Sequence, residues 1–345
     1  MSVATEHPLP VSLVDANRVR SLPVLVLNVH SRCNCRCVMC DIWKRDTTEE
    51  IKAADLARHR ESLRKLAVRW VVLSGGEPLM HSDLRGLCNF LRELRIRITL
   101  LTTGLLLERR SVDVAEFFDD VIISLDGPPE VHNTIRRIPE AFEMVANGVQ
   151  RLRQERPDMP IMARTTVQKA NHNRLNDTVD AALSIGLSGI SFLAADLTSE
   201  AFNRPLLWQV EKQNSVALTQ SEVSALDGEV ARLISRRHHE IQSGYIAESP
   251  DKLWRIVEHF RAHLGLETPR SPECNAPWVS AVVESDGSVR PCFFHRTIGN
   301  ISESSLDEIV NGESAVSFRR ALNIAKNPIC QRCVCSLKHS NGESA

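Results

Sequence analysis

Six short, almost unbroken apolar runs recur along residues 23–194, separated by segments with the apolar spacing of helices, and few architectures accept that pattern. The runs are "PVLVLNVH" (23–30), "WVVLS" (70–74), "ITLLTT" (98–103), "VIISLD" (121–126), "IMARTTV" (161–167) and "GISFLA" (189–194). Strands apolar on both sides belong to a parallel sheet covered on both faces. Helical patterns fall at about 49–66, 82–95, 111–118, 139–154 and 172–185. In the second, Leu84, Leu87, Cys88, Leu91 and Leu94 form one stripe. The alternation predicts right-handed crossovers. A closed or partial barrel is expected, because the chemistry-bearing motifs follow strands, at the C-terminal edge of the sheet. Residues 196–270 turn polar and then helical, and are read as a bridge shaping a substrate lid. From 279, "VSAVVESDGSVRPC" predicts a hairpin turning at Asp286-Gly287, and "SSLDEIVNG" a short helix.

Lys plus Arg (42) nearly balances Asp plus Glu (43), so no basic face points to nucleic acid. No apolar run is long enough to span a bilayer. The N-terminus, with Glu6 and Asp15, lacks the basic-then-apolar order of a signal peptide. A cytoplasmic protein with no membrane partner is expected. In that reducing compartment, clustered cysteines read as metal ligands or catalytic groups. Of the ten cysteines, four lie at 33–40, one at 88 and five at 274–335. Two metal sites are the economical reading, with Cys88 left to the core.

In "HSRCNCRCVMCDIWK" (30–44), Cys33, Cys37 and Cys40 are spaced C-x3-C-x2-C after the first strand. Thiolates are the usual ligands of iron–sulfur clusters, and three of them leave one iron of a 4Fe–4S cluster open to a reactant. Cys35 is expected to point away from its neighbours and not to ligate. A zinc knuckle completed by Cys35 or His30 is the alternative.

"CNCRCVMC" resembles the signature of the radical S-adenosylmethionine (SAM) enzymes, with Met39 as its hydrophobic position. "LSGGEPLM", after the second strand, resembles their GGEP motif. That resemblance implies that Gly75, Gly76, Glu77 and Pro78 receive the methionine ammonium of SAM through backbone carbonyls, with Glu77 assisting. The glycines would allow the close approach and the proline would fix the turn. "SLDGPPEVHNTIRR", after the fourth strand, is similar to a stretch in family members carrying extra clusters. It implies that Ser124 and Arg136 hold the cofactor's carboxylate or ribose, while Asp126 caps the turn. "RTTVQKANHN" is family-like and would turn Arg164, Thr166 and Asn171 toward the nucleoside.

Cys274, Cys292 and the Cys330-x2-Cys333-x-Cys335 run resemble the SPASM/twitch appendage of the family. The resemblance implies one auxiliary 4Fe–4S cluster on Cys274, Cys292, Cys330 and Cys333, with Cys335 as the alternative fourth ligand. A structural zinc ribbon is the other reading. The implied fold is α/β, a partial (β/α)6 TIM-like barrel with a small C-terminal SPASM/twitch iron–sulfur domain. Its expected limits are an N-terminal arm at 1–22, the barrel at 23–195, the bridge at 196–270 and the auxiliary domain at 271–345.

The implied function is reductive cleavage of SAM to a 5′-deoxyadenosyl radical that takes hydrogen from a substrate. A flavodoxin- or ferredoxin-type protein would donate the electron, and the auxiliary cluster would accept one from the substrate. Oxidation, crosslinking or rearrangement of a small molecule (sugar- or nucleoside-like) or of a peptide is expected. No leader-binding domain is expected in the ~22 residues before the first strand, so a peptide maturase would need a separate partner. A non-enzymatic zinc or iron–sulfur binding module is the reading from another class. No general base is named; Asp196, Glu200 and His295 are polar residues in suitable places.

Overall fold

The computed structural model describes residues 17–202 and 207–339; residues 1–16 of the expected arm lie outside it. The six apolar runs are the strands β1 (Val24–His30), β2 (Trp70–Gly75), β3 (Arg97–Thr102), β4 (Asp120–Ser124), β5 (Ile161–Val167) and β6 (Gly189–Ala194). They pair in parallel, each with its sequence neighbour. The helices between them are α1 (Ala53–Ala57), α2 (Arg60–Lys65), α3 (Leu84–Glu93), α4 (Leu107–Phe117), α5 (Pro129–Arg136), α6 (Ala141–Glu155) and α7 (Leu175–Ser184). The helix expected over 49–66 is two, parted at His59. Helix α5 was not expected: it is eight residues long and enters through Pro128 and Pro129, which fit a helix start but carry no helical periodicity.

The two faces of this sheet differ. Leu25, Leu27, Val71, Leu73, Ile98, Leu100, Val121 and Ile123 are 0% exposed. Their alternates Val26, Val72, Ile122, Ser124, Met162 and Arg164 are only half-buried, although the registers put them side by side across β1–β5. One face is sealed by helices and the other is open, as in the interior of an unclosed barrel.

The sheet continues beyond β1. Strand β7 (Ser280–Val283) pairs with it in parallel, Val24 opposite Ser280 through Leu27 opposite Val283. Then β8 (Ser288–Arg290) and β9 (Gly299–Asn300) follow antiparallel, giving the order β6-β5-β4-β3-β2-β1-β7-β8-β9. The expected hairpin forms at Asp286-Gly287: Gly287 takes φ +82° and Ser288 N–H donates to Asp286 Oδ1 at 2.9 Å. It extends the barrel sheet and is not packed as a separate layer. That continuity had no signal in the sequence, because the partner strands lie about 250 residues apart and parallel pairing needs no turn.

Residues 196–270 supply α8 (Val210–Asn214), α9 (Gln220–Arg236), α10 (His238–Gln242) and α11 (Pro250–His263). Helix α11 packs on α9 and β6, burying Leu253, Ile256, Val257 and Phe260. The C-terminal part adds α12 (Ala276–Val279), α13 (Leu306–Asn311), α14 (Glu313–Ala321) and α15 (Pro328–Gln331). Helix α13 opens with a capping box of Ser305 and Glu308. Among the described residues no helix is long and apolar enough to cross a membrane.

Because β1 has partners on both edges, a chain ending at residue 270 would expose the backbone of an apolar, fully buried strand. Such a chain is expected to elute as aggregate on size exclusion, whereas the full chain elutes as a discrete species; a folded, monodisperse truncation would contradict this.

Candidate metal and cofactor site

The first cysteine group sits on the loop leaving β1, and backbone contacts fix that loop on two sides. On one side, the N–H groups of Gly76 and Glu77 donate to the carbonyls of His30 and Arg32, each at 2.8 Å. The glycines make this possible. A Cβ on Gly76 would lie 1.9 Å from the Arg32 carbonyl oxygen, and one on Gly75, at φ +118°, 2.7 Å from that of His30. The close approach expected for a ligand is therefore made here by the protein's own cysteine loop. On the other side, Arg36 and Val38 N–H donate to the carbonyls of Arg136 and Ile135 at 3.2 and 3.1 Å. These are last-turn carbonyls of α5, which otherwise lack partners; Arg137, at φ 55°, ends the helix.

Glu77 is 0% exposed. Its Oε1 accepts from Leu79 N–H (3.0 Å) and Thr102 Oγ1 (2.7 Å), and its Oε2 from Thr103 N–H and Oγ1 (2.7 Å each). Four donors saturate the carboxylate. Through them Glu77 ties the β2 turn to the β3 turn. Pro78 begins the short turn of helix that this carboxylate caps. Thr103 also reaches Asn34 Oδ1 at 3.0 Å, joining the β3 turn to the cysteine loop.

Arg136 was expected at the cofactor carboxylate or ribose. Its Nε donates to Asp126 Oδ2 at 2.6 Å and its Nη1 to Cys37 Sγ at 3.5 Å. Both charged side chains are buried, at 8% and 0% exposure. Asp126 does more than cap a turn: its Oδ1 accepts from Thr166 N–H (3.1 Å), its carbonyl from Asn171 Nδ2 (2.9 Å), and its N–H donates to His132 Nδ1 (3.2 Å). Asn171 is fully buried in that turn. Burial holds His132 down to about 4, so it is neutral at pH 7. Ser124 closes β4 on the open face, opposite Arg164 of β5.

Cys35 does not point away from its neighbours. It is 1% exposed, and its hydrogen bonds to Cys33 and Cys37, with burial, push its thiol far above the usual range. That bond from Cys35, with the Arg136 guanidinium, holds the Cys37 thiol down to about 6 against the effect of burial. Cys35 thus sits at the back of the loop, and its contact and the Arg136 guanidinium favour the thiolate form of Cys37. Cys33, Met39 and Cys40 are half-exposed beside it. His30, the alternative zinc ligand, is turned to Glu50 at 3.5 Å. The donor set suits a thiolate-ligated cluster: one stabilised thiolate, two accessible thiols and a cation to offset negative charge.

Two bridge residues reach back to this loop. Trp208 Nε1 donates to Asp41 Oδ2 at 2.7 Å, and Lys212 Nζ to the Val38 carbonyl at 2.5 Å. Nothing local in the sequence marks them, since the contacts span about 170 residues.

In the C-terminal part, Cys274, Cys292, Cys330 and Cys333 line one small cavity with Pro277, Phe294, Leu322 and Ile329. Burial pushes the Cys292 thiol up, and the Cys330 thiol to about 11. Four thiols in an apolar chamber, without cations against them, suit a cluster that takes them as thiolates. Cys335 lies outside this chamber. With Cys333 it lines a second, larger cavity of about 250 Å³ between β5, β6, α11 and the Gln331–Ser336 loop. His295 lies 3.5 Å from Cys330 Sγ, and Asp196 accepts from Ser199. Cys88 is fully buried and its thiol is pushed to about 12 by burial.

The loop cysteines and the four chamber cysteines fall within segments that match known families. Residues 27–182 match the radical SAM superfamily, and residues 274–334 match SPASM, an iron–sulfur cluster-binding domain. The AdoMet-dependent heme synthase of Methanosarcina barkeri is 30% identical over 162 residues, 45% of this chain and 45% of that protein. The chain thus spans less than half of that relative. The Fe-coproporphyrin III synthase of the same organism is 26% identical over 352 residues, 94% of this chain and 84% of that protein. Among solved structures, SuiB of Streptococcus suis bound to its precursor peptide SuiA superimposes with a TM-score of 0.64 at 16% identity. That match covers 93% of this chain and 73% of SuiB, and shows a shared fold.

Breaking the buried Arg136–Asp126 pair from one side is expected to cost about 3–5 kcal/mol. Urea unfolding of Asp126→Leu and Arg136→Leu should show it. The double variant should be more stable than either single one, because no charge is then left stranded; a strictly additive double variant would contradict the pairing. Gly76→Ala should unfold at a lower temperature and lose about half of its iron.

Proposed function

Since the chain belongs to the radical SAM enzymes of the SPASM subfamily, with a SAM-binding 4Fe–4S cluster and auxiliary iron–sulfur binding as their cofactors, we propose that it abstracts hydrogen from a small molecule lodged in the β5–β6–α11 cavity. Cys33, Cys37 and Cys40 would hold the SAM-binding cluster, and Cys274, Cys292, Cys330 and Cys333 the auxiliary one. Bound to the first site, the cluster and SAM supply a 5′-deoxyadenosyl radical, on an electron from a flavodoxin- or ferredoxin-type donor.

The protein's share is positioning. Gly75 and Gly76 bring the β2 turn against the cysteine loop, and their remaining carbonyls are the proposed seat of the methionine ammonium. Ser124 and Met39 would flank the cofactor. Arg136, committed to Asp126, offsets the charge of the Cys37 thiolate and does not reach for a carboxylate. Four thiols leave the auxiliary site no open position, so substrate contacts fall to the cavity walls.

The observation that carries this reading is the shared wall of that cavity. One side is the open face of the sheet at Arg164 and Leu193; the other is the loop bearing Cys333 and Cys335. A substrate there would lie against Cys333 and Cys335 on one side and the open face of the sheet on the other. The Fe-coproporphyrin III synthase, alike over most of both chains, supports a tetrapyrrole-like molecule. The peptide-bound structure is alike in fold and keeps a peptide as the second reading.

Anaerobically purified protein is expected to be brown, with about eight irons per chain. With dithionite and SAM it should yield 5′-deoxyadenosine. Cys37→Ser should lose about half the iron and all of that product, while Cys35→Ser keeps both. A colourless zinc protein, or equal losses from the two substitutions, would overturn the assignment.

A further inference from the structure

Across the chain positive and negative side chains nearly cancel, yet the cavity between β5, β6, α11 and the Gln331–Ser336 loop is lined by five cations and two carboxylates. One cation is already matched, since Arg270 bridges Glu258. The other carboxylate, Glu248, accepts from the Phe192 N–H at 2.8 Å. Among the described residues, the remaining four cations, Arg164, Lys252, Arg255 and Arg332, have neither a carboxylate at ion-pairing distance nor a side-chain hydrogen bond. The Nε of Arg164 is cut off from solvent with no partner.

Other half-buried guanidiniums are paired. Arg92 pairs with Asp119, Arg97 with Asp120 and Arg237 with Asp180. Arg164 and Lys252 feel Glu248, and Arg255 feels Glu258, only through space, and for the half-buried Arg164 and Arg255 the lack of a direct partner is costly in the empty protein. Burial holds Arg255 below its usual pKa, as expected of a guanidinium waiting for an anion. Between the cations lie Phe192, Leu193, Ile256 and Val334, an apolar surface for an apolar body.

We infer that this cavity binds a molecule bearing two or more carboxylates on an apolar frame, with Arg164 and Arg255 gripping carboxylates and Lys252 and Arg332 neutralising charge at the mouth. Planar guanidinium forks match carboxylates two bonds at a time, which ammonium groups cannot do. At about 250 Å³ the cavity takes a carboxylate-bearing limb and leaves the rest of a larger molecule toward solvent. The inference rests on the proposed function only in taking this cavity as the substrate's.

The test is equilibrium binding to the cluster-loaded protein, without reductant, followed by porphyrin fluorescence. The probes are coproporphyrin III, a tetracarboxylate on an apolar macrocycle, its tetramethyl ester, and GTP as a phosphate competitor. The acid should bind and the ester should not. Arg164→Gln and Arg255→Gln should each weaken the acid about tenfold. Lys252→Gln and Arg332→Gln, both at exposed positions where folding is not at stake, should weaken it about threefold and flatten its salt dependence. Failure of the acid to bind, equal binding of the ester, tighter binding of GTP, or affinities unchanged across all four variants would overturn the inference. Carboxylate-dependent binding in a protein that never yields 5′-deoxyadenosine would sink the proposed function and leave this site standing.

Discussion

The approach of the β2 turn to the loop after β1 is the contact on which the rest depends. Two backbone hydrogen bonds at 2.8 Å extend the β1–β2 pairing past the end of the sheet, and a side chain on Gly76 would occupy the Arg32 carbonyl. The loop cannot then swing as a free connection. Its first thiol follows directly on the anchored Arg32, and Cys37 sits between the two residues whose N–H groups cap α5. The loop that carries the three cysteines is thus held on both flanks by backbone hydrogen bonds, with Thr103, Trp208 and Lys212 adding side-chain ties. Loop ordering of this kind costs about 1–2 kcal/mol per residue, and the strand extension and helix cap offset it.

The same logic explains the charges. A thiolate in a site as buried as that of Cys37 is unfavourable alone. Arg136 offsets it, but a buried guanidinium has its own desolvation cost. Asp126 meets that cost from the far side, and Thr166, Asn171 and His132 hold Asp126 in place. The "SLDGPPEVHNTIRR" stretch thus supports the cysteine loop from behind. Its residues act through the loop, which is why Arg136 is engaged before any cofactor is considered.

Much of this was legible in the sequence, and what was not has a common cause. Strands buried on one face and lining a cavity on the other still read as apolar runs, so all six were found within a residue or two. The cysteine groups were visible because thiol spacing is a local property, and the hairpin because Asp-Gly turns have a local conformation. The misses are long-range. Pairing of β7 with β1, the reach of Trp208 and Lys212 to the first loop, and the saturation of Glu77 by Thr102 and Thr103 all join segments that nothing local connects. Cys35 was excluded as a ligand on the ground that it turns away; it turns inward, beside Cys33 and Cys37, and its high thiol pKa follows from that contact.

The shared strand has a consequence for how the two cysteine groups work together. Strand β1 delivers the first group from its C-terminal end and carries β7 along its free edge, and β7 lies between Cys274 and Cys292. A ladder of hydrogen bonds therefore fixes the strand between Cys274 and Cys292 beside the strand that delivers the first group. The chain then returns: Leu337 accepts from Asn275 N–H at 2.8 Å, while the neighbouring Cys335 and Ser336 face Arg164 and the β6 end across the cavity. The C-terminal loop thus lies along β6, one outer edge of the sheet. A substrate entering there meets a wall made by both parts of the protein, and the unmatched cations lie on each side of it: Arg164 from the sheet, Lys252 and Arg255 from the bridge, Arg332 from the loop.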